Sequence, residues 1–361
     1  MNNPTVNLLG IPQGELERMF INMGEKPFRA RQVMQWLYGR SVFDLDLMTN
    51  LSAALRRELA DRVQIVLPLV QTREDAADGV VKWSLHAGGG QAIEVVFIPE
   101  EGRGTLCVSS QVGCAMDCPF CATGRQGFNR NLSAAEIIGQ VLVAAGELGT
   151  RRISNVVFMG MGEPLANLRA VVQATDILLD DFGFGLSRRR VTVSTSGLVP
   201  QIRRLAEVSK VALAVSLHAP NDQLRDELVP INRRHPISEL LGACWQYAEA
   251  TRSKDITFEY VMLATVNDSE QHAKQLASLL KGHPAKVNLI PFNSFPGSDF
   301  RRSSAERVDR FRQVLVRAGI ITITRKTRGD DIAAACGQLA GRVDNRVRAP
   351  LGTKMHQSRA L

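Results

Sequence analysis

No run of eighteen apolar residues occurs in the 361-residue sequence, and its start, Met-Asn-Asn-Pro-Thr-Val, leads to Glu15, Glu17 and Arg18 rather than to a basic segment followed by an apolar one. Neither a membrane-spanning helix nor a secretory leader is expected, which places the protein in the cytoplasm. Heptads and internal repeats are also missing, so the pattern calls for no coiled coil and leaves the oligomeric state open. Cysteine is scarce, at six residues, and in a reducing compartment so few thiols serve metal or redox chemistry better than disulfides. With 45% hydrophobic and 22% charged residues the chain is not disordered, and its length suits one large core plus a small accessory domain.

Half of the cysteines are crowded into one place. Cys114, Cys118 and Cys121 stand in Gly-Cys-Ala-Met-Asp-Cys-Pro-Phe-Cys, a Cys-x-x-x-Cys-x-x-Cys spacing that offers three thiolates to one centre. A closed zinc site wants four ligands, and no second Cys-x-x-Cys or His-x-x-x-His follows at zinc-finger distance. Three thiolates suit a 4Fe-4S cluster with one iron left open for a substrate. Buried thiols, or three of four zinc ligands whose partner lies elsewhere, are the alternatives. The spacing, with Phe120 before the third cysteine, resembles the radical S-adenosylmethionine (radical SAM) superfamily. That resemblance implies an open iron that chelates the amine and carboxylate of SAM and reduces its sulfonium to a 5′-deoxyadenosyl radical.

Net charge is +8, with 44 Lys and Arg against 36 Asp and Glu, which favours a polyanionic partner, RNA first. Basic clusters occur at Arg188-Arg189-Arg190, Arg233-Arg234, Arg301-Arg302, Arg325-Lys326-Arg328 and from Arg346 to His356. Arginine suits phosphate forks and base stacking.

Helical spacing of Leu16, Met19, Phe20 and Met23, then Phe28, Val33, Trp36 and Leu37, marks a small helical domain. Its Gly24 to Arg31 turn offers basic side chains to a phosphate backbone, or is a solvated loop. Val80 to Leu85 and Ala92 to Ile98 read as a hairpin around Ala87-Gly-Gly-Gly-Gln91. From Thr105 onward short apolar runs alternate with amphipathic helical patterns: Leu106 to Ser109, Val156 to Met159, Val191 to Ser194, Val211 to Leu217, Ile256 to Met262, Val287 to Pro291 and Ile320 to Thr324. Repeated βα units give a parallel sheet, here an incomplete, splayed (βα)6-type barrel open to a large substrate. The expected fold is therefore α/β: a helical accessory domain (1–75), a linking β-hairpin (76–104), a core barrel (105–345) and a basic tail (346–361). Active sites of such barrels lie at the C-terminal ends of the strands, which nominates Gly160 to Pro164, Ser194 to Gly197, Ser216 to His218 and Phe292-Asn293. Glu163, beside flexible glycines, suits the ammonium of a bound amino acid. Each run also reads as an ordinary turn.

Thr105 to Cys114, Gln126 to Leu132, Met159 to Leu165 and Arg328 to Leu339, together with Gly24 to Val33, resemble the RlmN family of dual-specificity radical SAM RNA methyltransferases, and the similarity runs from about residue 13 to 340. The resemblance implies methylation at C2 of an adenine in the peptidyl-transferase region of 23S rRNA and of the adenine next to the anticodon in certain tRNAs. It also implies one 4Fe-4S cluster held by Cys114, Cys118 and Cys121, two SAM molecules per methylation, and a flavodoxin-type electron donor. Cys336 is implied as the methyl carrier, and its methylene radical adds to adenine C2 to give a covalent protein-RNA adduct. Cys107 is implied to resolve that adduct, leaving a Cys107–Cys336 disulfide to be reduced. Glu94 is implied as the general base, and Gly162, Glu163, Ser194, Ser216, Leu217, His218 and Asn293 as SAM contacts, His218 through its side chain or its backbone.

From the residues alone, Cys107 in an apolar strand and Cys336 after three alanines are equally buried, inert cysteines, and Glu94 marks a strand's solvent face. Cys244 matches no functional cysteine of the family and reads as core. A C8-directed paralogue shares the cluster, both working cysteines and the barrel. A structural-metal RNA-binding protein is the non-enzymatic alternative.

Overall fold

The computed structural model describes residues 6–149, 152–344 and 346–347. Val6–Asn7 (β1) and Val63–Gln64 (β2) pair in parallel and close a helical unit of α1 (Gln13–Asn22), α2 (Arg29–Met34) and α3 (Ala53–Arg62). Leu16, Phe20, Val33 and Leu37 of the periodic stripe are buried, whereas Phe28 is exposed. The unit has no separate core. Its apolar stripe is continuous with the barrel's core, the Tyr38 ring meets that of Phe184 with centroids 5.5 Å apart, and Gln173 Nε2 reaches the Glu15 carboxylate. Close approach is built in at Gly10, where a Cβ would lie 2.4 Å from the backbone nitrogen of Ala135.

Three antiparallel strands follow, β3 (Val70–Asp75), β4 (Val81–His86) and β5 (Ala92–Glu100). Residues 70–75 were expected within the helical domain. They escape a hydrophobic reading because all six are exposed, on an edge whose charges Arg73, Glu74 and Asp75 discourage further pairing. The hairpin is not a separate linker either: β5 pairs antiparallel with β6 (Arg103–Cys107), so β3 to β5 extend the main sheet.

After β6 a two-stranded ribbon, β7 (Gln111–Gly113) with β8 (Phe128–Asn131), folds back around α4 (Ala122–Gln126). Then come α5 (Ala134–Leu148), β9 (Asn155–Phe158), α6 (Leu168–Leu179), β10 (Val191–Thr195), α7 (Val199–Val208), β11 (Ala212–Ser216), α8 (Asp222–Leu228), α9 (Ile237–Thr251), β12 (Ile256–Met262), α10 (Glu270–Leu280), β13 (Ala285–Pro291), α11 (Ala305–Arg317) and β14 (Ile321–Thr324). Side-chain caps start several helices, including the Ser133/Glu136 capping box of α5 and the Ser269 and Ser304 hydroxyls of α10 and α11. The ten strands form one sheet ordered β14-β13-β12-β11-β10-β9-β6-β5-β4-β3, with every neighbour from β6 to β14 parallel. Seven parallel strands joined by six helical crossovers make the expected partial barrel, and β14 and β3 are free ends, so it does not close. The inner strands are apolar runs because the flanking helices cover one face and the barrel interior encloses much of the other. Among the described residues no helix is long and apolar enough to cross a membrane. Beyond residue 347 the expected basic tail lies outside the described residues.

Candidate active site

The three clustered cysteines occupy the loop between β7 and α4. Gly113 has φ of 75°, and a Cβ there would fall 1.9 Å from the Gly127 carbonyl, so the loop enters through a turn only glycine permits. Cys114 N–H donates to the Gly127 carbonyl and Cys121 N–H to the Cys118 carbonyl. A small apolar cluster, including Met116, Val261, Leu263 and Phe292, packs against Cys114, Cys118 and Phe120. Burial pushes all three thiols up, and the neighbours Cys114 and Cys121 push Cys118 the same way. Among the described residues no three His, Cys, Asp or Glu side chains converge tightly enough to hold a single metal ion. A cuboidal cluster takes each thiolate at a different iron corner and needs no such convergence.

All three cysteines line one cleft of about 990 Å³ at the C-terminal ends of the strands, together with Gly162, Glu163, Ser194, Ser216, His218, Asn293 and Cys336. Gly162 has φ of 99°, and a Cβ there would press within 2.5 Å of Gln111. Glu163 is buried and tightly held: Oε2 accepts from Ser196 N–H (2.7 Å) and Oγ (2.8 Å), and Oε1 accepts from Leu165 N–H (3.1 Å). Burial raises its pKa against those donors, which favour the charged form. A thiolate trio beside a carboxylate is a concentration of negative charge that suits a cationic centre.

His218 does not act as a base. Nδ1 accepts from Val261 N–H at 3.1 Å, the ring meets Phe120 edge-on at 4.7 Å, and burial, with Arg225 adding to it, pushes its pKa down to about 3. It is neutral in the folded protein, while the unfolded imidazole titrates near 6.5. Between those values the unfolded chain binds the extra proton, so this group's contribution to stability is present above about pH 6.5 and is lost as pH falls. Melting temperatures measured from pH 7.5 to 5 are expected to drop below pH 6.5, and less steeply in His218→Gln. Arg225, fully buried, ties the ends of β10 and β11 together by donating to the carbonyls of Ser196 (2.6 Å), Ser216 (3.1 Å) and Leu217 (3.1 Å). Leu217 contributes backbone only; its side chain is core.

Cys336 reaches the cleft on a segment pinned from several sides. Ala122 N–H donates to the Gly337 carbonyl (2.8 Å), Thr123 Oγ1 to Leu339 (2.6 Å), Gln338 Nε2 to Ser294 (2.8 Å), Lys82 Nζ to Ile332 (2.5 Å) and Gln91 Nε2 to Asp344 (2.9 Å). Arg325 Nη1 donates to Cys336 Sγ at 3.3 Å. Cys107, at the buried end of β6, lies close enough that a Cys336 thiolate adds to the effect of burial, while Arg325 opposes it, and the Cys107 thiol is pushed up to about 12. All six cysteines are free thiols; the disulfide implied for one stage of turnover is not formed here.

Glu94 is not on the cleft lining. Its Oε2 accepts from Ala340 N–H at 2.8 Å, four residues beyond Cys336, and Oε1 lies 3.8 Å from Lys82 Nζ. Burial raises its pKa, against the Ala340 hydrogen bond and Lys82. Cys244 is core, as expected.

The basic clusters have different fates. Arg188 and Arg189 join Lys210, Arg252, Lys254 and Lys286 around a cleft of about 820 Å³ whose one acidic residue is Asp255, at the barrel end opposite the cysteines. Arg29 and Arg31 are partly used by the fold, near Glu25 and Glu17 and against the rings of Phe28 and Phe182. Arg325 points inward. It is a site residue hidden in the sequence by basic neighbours. Glu259, buried on β12 and lining the same cleft, is not among the sequence candidates: like Glu94 it is a lone carboxylate in an apolar strand, in Ile-Thr-Phe-Glu-Tyr-Val-Met, a pattern that by itself marks a solvent face.

Residues 6–65 match the Ribosomal RNA large subunit methyltransferase N-terminal domain, and residues 108–277 match the Radical SAM superfamily. The crystal structure of a radical SAM methyltransferase from Sphaerobacter thermophilus is 46% identical, covers 92% of this chain and 99% of its own, and superposes with a TM-score of 0.86. A domain of pyruvate-formate lyase-activating enzyme from Bacteroides vulgatus (20% identity, 48% of this chain and 99% of that one, TM-score 0.37) is too distant to bear on function. The same holds for Streptococcus suis SuiB bound to S-adenosylmethionine (12% identity, 64% and 55%, TM-score 0.46). Fold and site together define a radical SAM methyltransferase acting on RNA. The chain belongs to the RlmN family. Membership implies a 4Fe-4S cluster and SAM, and the half-buried three-thiol loop beside Glu163 fits them.

Proposed function

We propose that the enzyme methylates C2 of an adenine in the peptidyl-transferase region of 23S rRNA and of the adenine 3′ to the anticodon in some tRNAs, with Cys336 carrying the methyl group. The observation that supports this reading is the placement of Cys336 on the same cleft as Cys114, Cys118 and Cys121, with buried Cys107 beside it. A fourth and a fifth functional thiol beyond the triplet have no use in a simple SAM-dependent displacement. Adenine C2 is flanked by two ring nitrogens and has no lone pair to attack a sulfonium, so a route through a carbon radical answers a chemical need.

When bound, the cluster and SAM supply one-electron chemistry that removes a hydrogen atom from a methyl group. Cys114, Cys118 and Cys121 hold that centre, and Glu163, with Gly162, Ser194, Ser216, Asn293 and the backbone around His218, orients SAM. Cys336 takes a methyl group, then joins its carbon to adenine C2. Glu94, raised by burial and lying just beyond the cleft lining behind the Cys336 segment, receives the C2 proton, while the odd electron left on the adduct would be taken up by the bound cluster. Cys107 attacks the Cys336 sulfur: an S–S bond forms, the S–CH2 bond breaks with its electron pair passing to carbon, and that carbon is protonated to the methyl product. A flavodoxin-type donor resets the centre, and the helical unit and basic tail hold the RNA.

Mass spectrometry of rRNA and tRNA from a strain lacking the gene tests the assignment. Loss of 2-methyladenosine, restored by the wild-type gene, is expected. Loss of 8-methyladenosine instead would mean C8 chemistry.

A further inference from the structure

We propose that Arg325 is a positioning residue that changes partner during the reaction, holding the Cys336 sulfur while it is loaded and moving to Glu259 once it is methylated. The proposal rests on Cys336 being the methyl carrier. Arg325 follows β14 directly, its backbone N–H donating to the Leu289 carbonyl at 2.9 Å and Nη1 to Cys336 Sγ at 3.3 Å. Two strands away on β12, Glu259 faces the same cleft. Its Oε1 accepts from Asn288 Nδ2 at 2.9 Å, but its buried Oε2 has no partner among the described residues. A Cys336 thiolate, above all, raises the pKa of Arg325, with a Glu259 carboxylate next, so one cation faces two groups able to carry negative charge and bonds to one.

Loading alters that balance. The Cys336 thiolate attacks the methyl carbon of the sulfonium; the new S–CH3 bond forms as the sulfonium C–S bond breaks, and its electron pair passes to the departing sulfur. Cys336 thereby loses its negative charge and becomes a thioether, a weak acceptor. The guanidinium then faces a neutral sulfur and a buried carboxylate oxygen without a donor, and charge-assisted hydrogen bonding favours the carboxylate. The exchange satisfies Glu259 and frees the S-methyl group. Cys336, Arg325 and Asn293 also line a second cavity, of about 890 Å³, so the freed sulfur borders two spaces.

Iodoacetamide reports on the first position, because it attacks by the same displacement at sulfur. With the cluster-loaded enzyme and no SAM, alkylation of Cys336 read by peptide mass spectrometry is expected to slow roughly tenfold in Arg325→Gln, the worth of one charge-assisted hydrogen bond. Arg325→Lys should recover part of the rate. Equal rates in wild type and Arg325→Gln, with melting temperatures matched, would overturn the contact. For the second position, Glu259→Gln is expected to alkylate at Cys336 within about twofold of wild type, yet to turn over roughly tenfold more slowly once preloaded with methyl. Wild-type turnover of preloaded Glu259→Gln would sink the exchange. Wild-type enzyme whose Cys336 never gains a methyl in SAM would instead refute the methyl-carrier reading, a failure the alkylation rates distinguish from that of the Arg325 contact.

Discussion

Replacing Cys118 by alanine is expected to give a folded, colourless protein with no methyl transfer to RNA. Iron and sulfide should fall to background, together with the brown absorbance, and SAM cleavage should be lost completely. Cys118 is the sharpest choice of the three. Burial pushes it away from ionisation, and both Cys114 and Cys121 push it the same way, so three crowded thiolates coexist only around a compensating metal centre. Removing one sulfur removes about a methylene's worth of buried contact, about 1 kcal/mol, little beside a core this large. Folding measured by circular dichroism should therefore persist while iron content collapses. Full iron content with retained turnover in Cys118→Ala would refute the three-thiolate site.

The second large effect concerns Cys107→Ala. Its Cys336 remains to be loaded and to bond to adenine, but nothing breaks the sulfur-carbon bond afterwards. RNA should accumulate attached to the protein in a one-to-one adduct that survives denaturing electrophoresis, and multiple turnover should fall to background. Cys336→Ala should give neither adduct nor product. Free product released by Cys107→Ala at the wild-type rate would show that Cys107 is core only, the reading its burial permits.

The barrel was legible because parallel strands covered on both faces become unbroken apolar runs, and all seven candidate runs overlap observed strands, with Ile256–Met262 matched end to end. The edge strand β3 was not, because every one of its side chains faces solvent. Among the site candidates, the cysteine triplet announces itself by spacing, and glycines beside a carboxylate by composition. Cys107 and Cys336 carry no such mark, being 229 positions apart in sequence and ordinary in their surroundings. Arg325 was misread for a physical reason: side-chain direction after a strand decides whether a guanidinium meets a phosphate or a thiol, and residue type does not reveal it. His218 shows the same limit, since a histidine at a strand end looks reactive until its ring nitrogen is found accepting from Val261.

Four of the hydrogen bonds that pin residues 332–344 come from Gln91, Lys82, Ala122 and Thr123, all synthesised more than 200 residues earlier. During translation the three-cysteine loop thus exists long before the segment that covers one side of it. Until that segment docks, the loop is open to iron and sulfide from the side later occupied by Cys336 and Gly337. Cys336, the proposed methyl carrier, arrives late, so the chain is able to acquire its metal before it acquires the residue that, on that proposal, has most to lose from unguarded metal chemistry.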